Sequence, residues 1–320
     1  MNDFINIFQS VNGFKVLIQY LKSHVLGFAL LETLLLGRSK KSLEIVRLAV
    51  NNKIYQRLNK SNKKFVENFK LRNKQPKFTH EHKKTIWTIW LQGMDNAPEV
   101  VKNCYRSMEK NISGYDIKVI TDDNYSEYVT FPGFIIEKYD TGIISKVHFA
   151  DLLRIELLVN YGGTWLDGTV FCSKFDFVRH SYFLESDLFL FQNLKPGLDG
   201  HCNSISSWLI TSISHHKILM LVQALLHRYW NTHNYAVDYF ILHNFFQIAI
   251  ESYPDDWNKV IPISNSMPHI LQLRLFEQYD DVVWKCISDI TPFHKLTYKF
   301  EEEKSKLKDT YYDIIVKGKE

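Results

Sequence analysis

The segment DLLRIELLVNYGGTWLDGTVFCS, residues 151–173, changes its structural period once and thereby decides the fold of the chain. Apolar residues recur at helical spacing over residues 147–161, which predicts a helix with most of one face buried. The pair Gly162-Gly163 is typical of a helix end, because glycine adopts the left-handed backbone of a helix stop and lets the chain reverse closely. Two strand-like runs follow, with a carboxylate, a glycine and a hydroxyl between them: 164–166, Asp167-Gly168-Thr169 and 170–172.

Asp151 and Arg154 are three residues apart and therefore share one face of the predicted helix, within an otherwise apolar segment. One interpretation is an intrahelical ion pair. The other is a pair of polar groups directed into a cleft, with Asp167 brought alongside by the Gly-Gly reversal. Asp167-Gly168 by itself also fits a bulge or a tight turn at a strand end.

The patterns D-L-L-R, Y-G-G and W-L-D-G-T together resemble the donor-site core of the glycosyltransferases of the capsular polysaccharide synthesis group. That group is similar to the family 32 sugar transferases and, more distantly, to the glucosylating bacterial toxins. The resemblance covers about residues 85–300 and implies an α/β fold of the GT-A type, which binds nucleotide sugars. In the family pattern the motif ends in D-x-D, whose two acids hold Mn2+ or Mg2+ and the ribose. Here Thr169 takes the second position, and a hydroxyl has no charge although it can ligate Mg2+.

The composition is that of a globular protein, since 45% hydrophobic and 14% aromatic residues in 320 are enough to form a full core. The four cysteines are far apart and form no C-x-x-C motif, so we expect reduced packing residues in a cytoplasmic protein. The composition therefore excludes a disordered chain, and the cysteine spacing excludes a metal finger.

Charge divides the chain into a basic appendage, residues 1–78, and a mildly acidic body. The appendage contains 15 Lys and Arg against 4 Asp and Glu, a net charge of +11, and because the whole chain carries +4 the remainder carries −7. Its most apolar run, residues 25–36, is too short to span a bilayer and contains Glu32. Two interpretations stay open for it: an interfacial helix on an anionic leaflet, or a helical hairpin packed on the body. Nucleic acid is not expected as a partner, because no aromatic residues are interleaved with the basic ones in a module-like pattern.

The body begins with an alternating strand at residues 85–90, a loop with Gln92 and Gly93, a helix at 99–110 and a strand at 115–120. Strand, helix and strand with short connections predict a parallel unit, which binds ligands at the carboxyl ends of its strands. Trp87 is expected in the core. The resemblance implies that Trp90 and Gln92, with Gly93, contact the base and ribose of a sugar nucleotide.

The second half of the body is predicted to contain strands at 188–193 and 204–210 and helices at 217–230 and 237–250. Asp238 falls in the first turn of the last helix, where an acid is often a dipole partner; the resemblance makes it a candidate to orient the sugar. The ending H-K-L-T-Y-K implies a lid in which His294 approaches the metal or phosphate, while Lys295 and Tyr298 bind the diphosphate. Residues 301–320 are predicted to form a charged tail with a terminal helix.

These patterns together predict a catalytic domain at residues 79–300 and a retaining glycosyltransferase. It would move galactose or glucose from a UDP-sugar to a lipid-linked oligosaccharide acceptor of bacterial capsule synthesis, peripherally at the cytoplasmic face of the plasma membrane. The alternatives are a non-catalytic nucleotide-sugar or sugar binder and a sugar-phosphate transferase. The catalytic candidates are Asp238, Asp151 and Arg154. The donor-binding candidates are Trp90, Gln92, Gly93, Asp151, Arg154, Gly163, Asp167, Lys295 and Tyr298. The candidates for holding Mn2+ or Mg2+ are Asp167, Thr169 and His294.

Overall fold

The computed structural model describes residues 13–73, 82–194 and 204–318. The helices are α1 Gly13–Lys22, α2 Leu26–Leu36, α3 Lys40–Arg72, α4 Glu99–Asn111, α5 Gly133–Asp140, α6 Lys146–Tyr161, α7 Phe177–His180, α8 Tyr182–Glu185, α9 Lys217–Thr232, α10 Ile241–Ser252, α11 Pro254–Trp257, α12 Ile270–Arg274 and α13 Asp281–Ile290. The strands are β1 Thr85–Ile89, β2 Asp116–Ile120, β3 Gly163–Leu166, β4 Val170–Cys172, β5 Leu188–Gln192, β6 Ile205–Ser212 and β7 Phe293–Lys295.

Five strands form one mixed sheet in the order β2-β1-β3-β6-β5. β1 is parallel to both β2 and β3, whereas β6 is antiparallel to β3 and β5. The predicted strand-helix-strand unit with parallel strands is therefore confirmed. Because parallel strands end at the same edge of a sheet, the residues that follow β1 and those that follow β3 lie side by side.

Helix α6 and the reversal after it have the predicted structure. The Ser145 hydroxyl accepts a hydrogen bond from the His148 backbone N–H and caps the start of the helix. Gly162 and Gly163 both have positive φ, at +71° and +94°. A Cβ atom on Gly163 would lie 2.5 Å from the Thr85 carbonyl oxygen, so glycine is what allows β3 to pair with β1 directly after the helix.

A second, two-stranded sheet joins β4 to β7 in antiparallel pairing, with Val170 opposite Lys295 and Phe171 opposite His294. The pairing continues beyond the strands, since the Leu296 backbone N–H donates to the Thr169 carbonyl oxygen at 2.9 Å. The centre of the predicted lid is thus a strand fixed against the segment that follows Asp167.

Within the appendage, residues 13–73 form three helices that share the core of the body. Helix α3 buries one stripe of side chains against α9 and α10: Val46, Val50, Ile54, Leu58 and Val66. Polar contacts add to this packing, because Arg228 Nε donates to Asn62 Oδ1 at 3.1 Å and Lys70 Nζ donates to the Ser252 carbonyl oxygen at 2.7 Å. One face of α2 packs against α3, as in the hairpin interpretation of residues 25–36, while leucines of its other face remain exposed.

Two elements differ from the sequence prediction. The helix predicted at 237–250 begins later, at Ile241, because Asp238 Oδ1 accepts a hydrogen bond from the Phe240 backbone N–H at 3.0 Å and forms a turn before it. The tail from residue 301 forms a 3-10 turn and a short π-helical turn in place of a terminal helix. Tyr311 and Tyr312 are buried there with Val100, which anchors the segment in the body.

Of the cysteines, Cys104 and Cys172 are buried and Cys286 is exposed, and none of these three forms a disulfide. Cys202, the predicted linker at residues 74–77 and the predicted turn at 195–200 lie outside the described residues.

Candidate active site

Three charged side chains of the 151–173 segment meet at the carboxyl edge of the sheet. Asp167 follows β3 directly, while Asp151 and Arg154 lie on α6. Arg154 Nη1 is 3.4 Å from Asp151 Oδ1, and Arg154 Nη2 is 3.2 Å from Asp167 Oδ1. Arg154 therefore forms the intrahelical ion pair and also bridges it to Asp167, so both interpretations of the helix face describe part of the arrangement.

The fourth member of the cluster, Lys295, comes from β7, far along the chain. Lys295 Nζ is 3.1 Å from Asp167 Oδ2 and 2.5 Å from Thr169 Oγ1. The β4–β7 pairing fixes this approach, because it places Lys295 beside the loop that carries Asp167 and Thr169. The side chains of Asp167 and Lys295 remain 26% and 20% exposed, so a ligand can reach them from solvent.

Trp165 supports the cluster from within the sheet. Its indole Nε1 donates to Asp167 Oδ1 at 2.9 Å, and the Arg154 guanidinium stacks over its ring at 4.8 Å from the centroid. Trp165 is fully buried. Since the indole holds both ions in place, the orientation of Asp167 is set by three donors: Trp165, Arg154 and Lys295.

The two carboxylates have opposite electrostatic character. Burial raises the pKa of Asp167, but Lys295 and Arg154 together outweigh it, and the pKa is lowered from its ordinary value. For Asp151, burial is the largest influence and exceeds the attraction of Arg154, while the charge of Asp167 adds to it. The pKa of Asp151 is raised to about 6. Asp167 is thus a fixed anion, and Asp151 can take up a proton near neutral pH.

An aromatic wall borders the cluster. The rings of Trp90 and Tyr298 meet nearly at right angles, with centroids 5.5 Å apart. Trp90 also lies beside Gly168, where an added Cβ atom would be 3.6 Å from the Trp90 ring. Gln92 and Gly93 follow in the exposed loop after β1, so the structure brings these four predicted donor-site residues to the edge that holds Asp167.

Three predicted site residues are not brought to the cluster. Gly163 lies at the amino end of β3, the end opposite to Asp167, and its role is in the strand reversal. The side chain of His294 points away from Asp167, because successive residues of a strand alternate sides; it is fully buried beside Phe171, with Nε2 3.1 Å from Ser173 Oγ. Asp238 is buried in the turn before α10 and bonds the Phe240 backbone there.

The sequence analysis did not predict three residues near the cluster. It treated Trp165 only as part of a strand, and it did not identify Tyr239 and His243, which follow Asp238. The pKa of Tyr239 is raised by burial and then by the negative charges of Asp151 and Asp167. The pKa of His243 is lowered to about 3 by burial and then by the positive charge of Arg154. Both side chains therefore lie within electrostatic reach of the cluster. The only sequence signal for Tyr239 and His243 was that they lie close to Asp238 in the chain. Within that turn Tyr239 is 58% exposed, whereas Asp238 is buried.

The predicted divalent-metal site does not fit the side chains present. Asp167 is the one carboxylate beside Thr169, and both of its oxygens already accept hydrogen bonds from Trp165, Arg154 or Lys295. Across residues 13–73, 82–194 and 204–318, no three His, Cys, Asp or Glu side chains converge as a metal site. Mg2+ in nucleotide sites is held by one or two carboxylates together with water and substrate phosphates, but here the second acid position is Thr169 and the Lys295 ammonium lies between its hydroxyl and Asp167.

The fold and the cluster define a mixed α/β protein whose polar site lies where open sheets of this kind bind ligands, at the carboxyl ends of parallel strands. Residues 38–315 match the family described as "Capsular polysaccharide synthesis protein", and the chain belongs to that family. This confirms the family inferred from the sequence motifs.

Among solved structures, the chain is similar to one titled "PaToxG Glycosyltransferase", with 14% sequence identity and a TM-score of 0.38 over 76% of this chain and 95% of that one. No similar protein was found among those curated for function. Within the described ranges, none of the helices combines the length and the apolar character needed to cross a bilayer.

Proposed function

We propose that this protein is a retaining glycosyltransferase of the GT-A type. It transfers a hexose, galactose or glucose, from a UDP-sugar to a lipid-linked oligosaccharide acceptor during bacterial capsular polysaccharide synthesis. The observation that carries the proposal is the convergence of Asp151, Arg154, Asp167 and Lys295 at the carboxyl edge of the sheet. Membership of the capsular polysaccharide synthesis family supports the same function.

The chemistry of the reaction explains why two cations stand at this edge. The bond between the anomeric carbon and the diphosphate oxygen breaks, and UDP leaves with the electron pair. The acceptor hydroxyl oxygen forms the new bond to that carbon, and its proton passes to an oxygen of the departing diphosphate. Arg154 and Lys295 offer guanidinium and ammonium donors to the departing diphosphate, and such charge-assisted hydrogen bonds strengthen as negative charge develops.

The remaining side chains suit the other parts of a sugar nucleotide. Trp90 and Tyr298 present aromatic surface beside the cations, where a base or ribose can pack. Gln92 offers an amide that can read a base edge. Tyr239 lies within electrostatic reach of Asp151 and Asp167, and Asp151 and Tyr239 can both hydrogen-bond sugar hydroxyls. Asp238 then acts on the sugar through the turn that presents Tyr239.

We further propose that the appendage binds an anionic lipid surface, at the cytoplasmic face of the plasma membrane. Helix α2 leaves four leucines exposed on one face: Leu30, Leu31, Leu34 and Leu35. Basic residues border this face, since Arg38, Lys40 and Lys41 follow α2 directly and Lys53 of α3 stacks over Phe28. An apolar face rimmed by cations is complementary to anionic headgroups over acyl chains.

The test of the reaction is release of UDP from UDP-galactose and UDP-glucose by purified protein supplied with lipid-linked acceptor. The wild-type protein and Asp289→Asn, which removes an exposed carboxylate of α13, are expected to release UDP at equal rates. Asp167→Asn is expected to lose at least about tenfold in rate, because it releases both cations from their shared anion. Absence of UDP release by the wild-type protein would contradict the proposal, and release of UMP would identify a sugar-phosphate transferase.

A further inference from the structure

The Lys295 ammonium neutralises negative charge in the site, and its position is informative. Lys295 Nζ lies between Asp167 Oδ2 at 3.1 Å and Thr169 Oγ1 at 2.5 Å. These are the first and third positions of D-G-T, where a D-x-D motif would place two carboxylates. The ammonium therefore sits between the side chains that would otherwise clasp a divalent cation.

The residue at position 169 matches this arrangement. The Thr169 hydroxyl accepts from the ammonium and adds no negative charge, so Asp167 supplies the only carboxylate in contact with Lys295 among the described residues. The other face of Asp167 is held by Arg154 and Trp165. Arg154 and Lys295 together supply two positive charges, the same charge as one Mg2+ or Mn2+ ion.

Lys295 is also anchored more firmly than a surface lysine. Its backbone belongs to β7, which pairs with β4 immediately after Thr169, and Leu296 continues the pairing by bonding the Thr169 carbonyl. Its neighbour His294 is buried on the opposite side of the strand. The pairing thus fixes the register in which lysine, and not histidine, faces Asp167.

We propose that Lys295 takes the place and the electrostatic role of a divalent cation, so that this protein binds its nucleoside diphosphate without a metal ion. The inference rests on the proposed function for the identity of the ligand, but its structural core, a lysine in place of a metal, does not. Substitution of both Thr169 and Lys295 should therefore convert the site into one that binds a divalent cation. The double variant Thr169→Asp/Lys295→Ala would present two carboxylates and no ammonium, which is the arrangement that oxygen-preferring cations require.

The first experiment measures Mn2+ binding to the protein alone by electron paramagnetic resonance, with no nucleotide present. The wild-type protein is expected to leave the signal of free Mn2+ unchanged, as is Lys285→Ala, which removes an exposed lysine of α13. The double variant is expected to bind one Mn2+ ion, and adding Asp167→Asn to it should abolish that binding. One Mn2+ bound by the wild-type protein and lost in Asp167→Asn would overturn the proposal.

The second experiment measures UDP binding by calorimetry in EDTA and in Mn2+. The wild-type affinity is expected to be the same in both, and Lys295→Ala to weaken it about tenfold or more, since a charge-assisted contact is lost. Lys295→Arg, which keeps the charge, should retain most of the affinity, and thermal melts verify that each variant is folded. Wild-type binding that requires Mn2+ would contradict the proposal, whereas absence of UDP binding in both buffers would contradict the proposed function and leave the decision on Lys295 to the resonance measurement.

Discussion

Ionisation of the Asp151 carboxyl, a candidate catalytic group, lowers the free energy of unfolding. It is buried on α6 with Arg154 as its ion-pair partner, and burial raises its pKa to about 6. Its ordinary pKa is near 4, so the folded protein binds this proton more tightly than the unfolded chain does. The resulting stabilisation is complete below pH about 4, declines as the pH rises and is lost above pH about 6. The ionised carboxylate at neutral pH is therefore retained at a cost to the fold.

We accordingly expect Asp151→Asn to stabilise the protein at pH 8 by up to about 3 kcal/mol, because the uncharged amide avoids the desolvation of the carboxylate. At pH 5 the gain should be roughly half as large, since the wild-type carboxyl is then mostly protonated in the folded state. Urea denaturation at the two pH values measures both quantities. Asp289→Asn, which removes an exposed carboxylate, provides the control, and an equal gain at pH 5 and pH 8 would contradict the prediction.

Trp165 is expected to position Asp167 as well as to fill the core. Trp165→Phe keeps an aromatic ring but removes the donor to Asp167 Oδ1, which should lower UDP release about tenfold. Trp87→Phe is a matched control, because Trp87 is also buried in the sheet and its indole donates to the Gly162 carbonyl at 2.9 Å. Both variants should lose similar free energy of unfolding, and equal losses of turnover would show that Trp165 has only a packing role.

The sequence predicts some members of the site better than others. Asp151, Arg154 and Asp167 belong to one segment, and helix periodicity with a glycine stop is enough to bring them together. Lys295 was included through the resemblance, but its contact with Thr169 depends on the β4–β7 register, which no local pattern encodes. The same register turns His294 inward, since a shift of one residue exchanges the two faces of a strand.

At the scale of elements, the turn between α6 and β3 controls the assembly of the sheet. Gly163 has a φ of +94°, and its α-hydrogen faces the Thr85 carbonyl closely enough that a Cβ would approach to 2.5 Å. The strand reversal, the β1–β3 pairing and the position of Asp167 at the end of β3 all follow from this contact. Sequence periodicity predicts the reversal but not how closely the two backbones approach.

Gly163→Ala should therefore destabilise the protein by at least about 2 kcal/mol, from left-handed backbone strain together with the clash against Thr85. Gly142→Ala separates the two causes, because Gly142 also has a positive φ, +74°, but a Cβ there would meet no atom within 4 Å. That control should lose only about 1 kcal/mol. Chemical denaturation of both variants compares them, and equal losses would mean that the close approach to Thr85 is relieved by small backbone shifts.

Helical periodicity does not predict the residue at which α10 begins. Apolar spacing continues through residues 237–240 and predicts a helix there, yet the Asp238 carboxylate bonds the Phe240 backbone and holds a turn. Propensity identifies aspartate as a residue for turns and helix caps, but not which backbone N–H it will bond. As a result Tyr239 is 58% exposed, within electrostatic reach of Asp151 and Asp167.

At the scale of the whole molecule, the appendage has one face packed on the body and one exposed apolar face. Helix α3 packs on α9 and α10, so removal of residues 1–78 would take Val50 and Ile54 out of the core and expose the apolar side chains of α9 and α10 that they cover. Charge and composition predicted the appendage and its helices, but they left its packing open, because an amphipathic pattern does not specify what covers the apolar face. The exposed face of α2 is therefore best tested by point substitutions.

Substitution of Leu30, Leu31, Leu34 and Leu35 by serine is expected to abolish co-flotation of the protein with vesicles rich in anionic lipid. Each leucine inserted into the acyl boundary contributes about 1–2 kcal/mol, and each basic residue near the surface adds about 1 kcal/mol. Because these four side chains are 53–79% exposed, the variant should unfold at the wild-type temperature.

The control is Leu273→Ser, an equally exposed leucine on α12, which should float with the vesicles as the wild-type protein does. Wild-type binding should fall in neutral vesicles and at high salt, because the attraction of Arg38, Lys40 and Lys41 for lipid headgroups is lost or screened. If the four-leucine variant still floats with anionic vesicles, charge alone accounts for the binding and the apolar face of α2 has another partner. If the wild-type protein also stays unbound, the appendage does not attach the protein to anionic lipid.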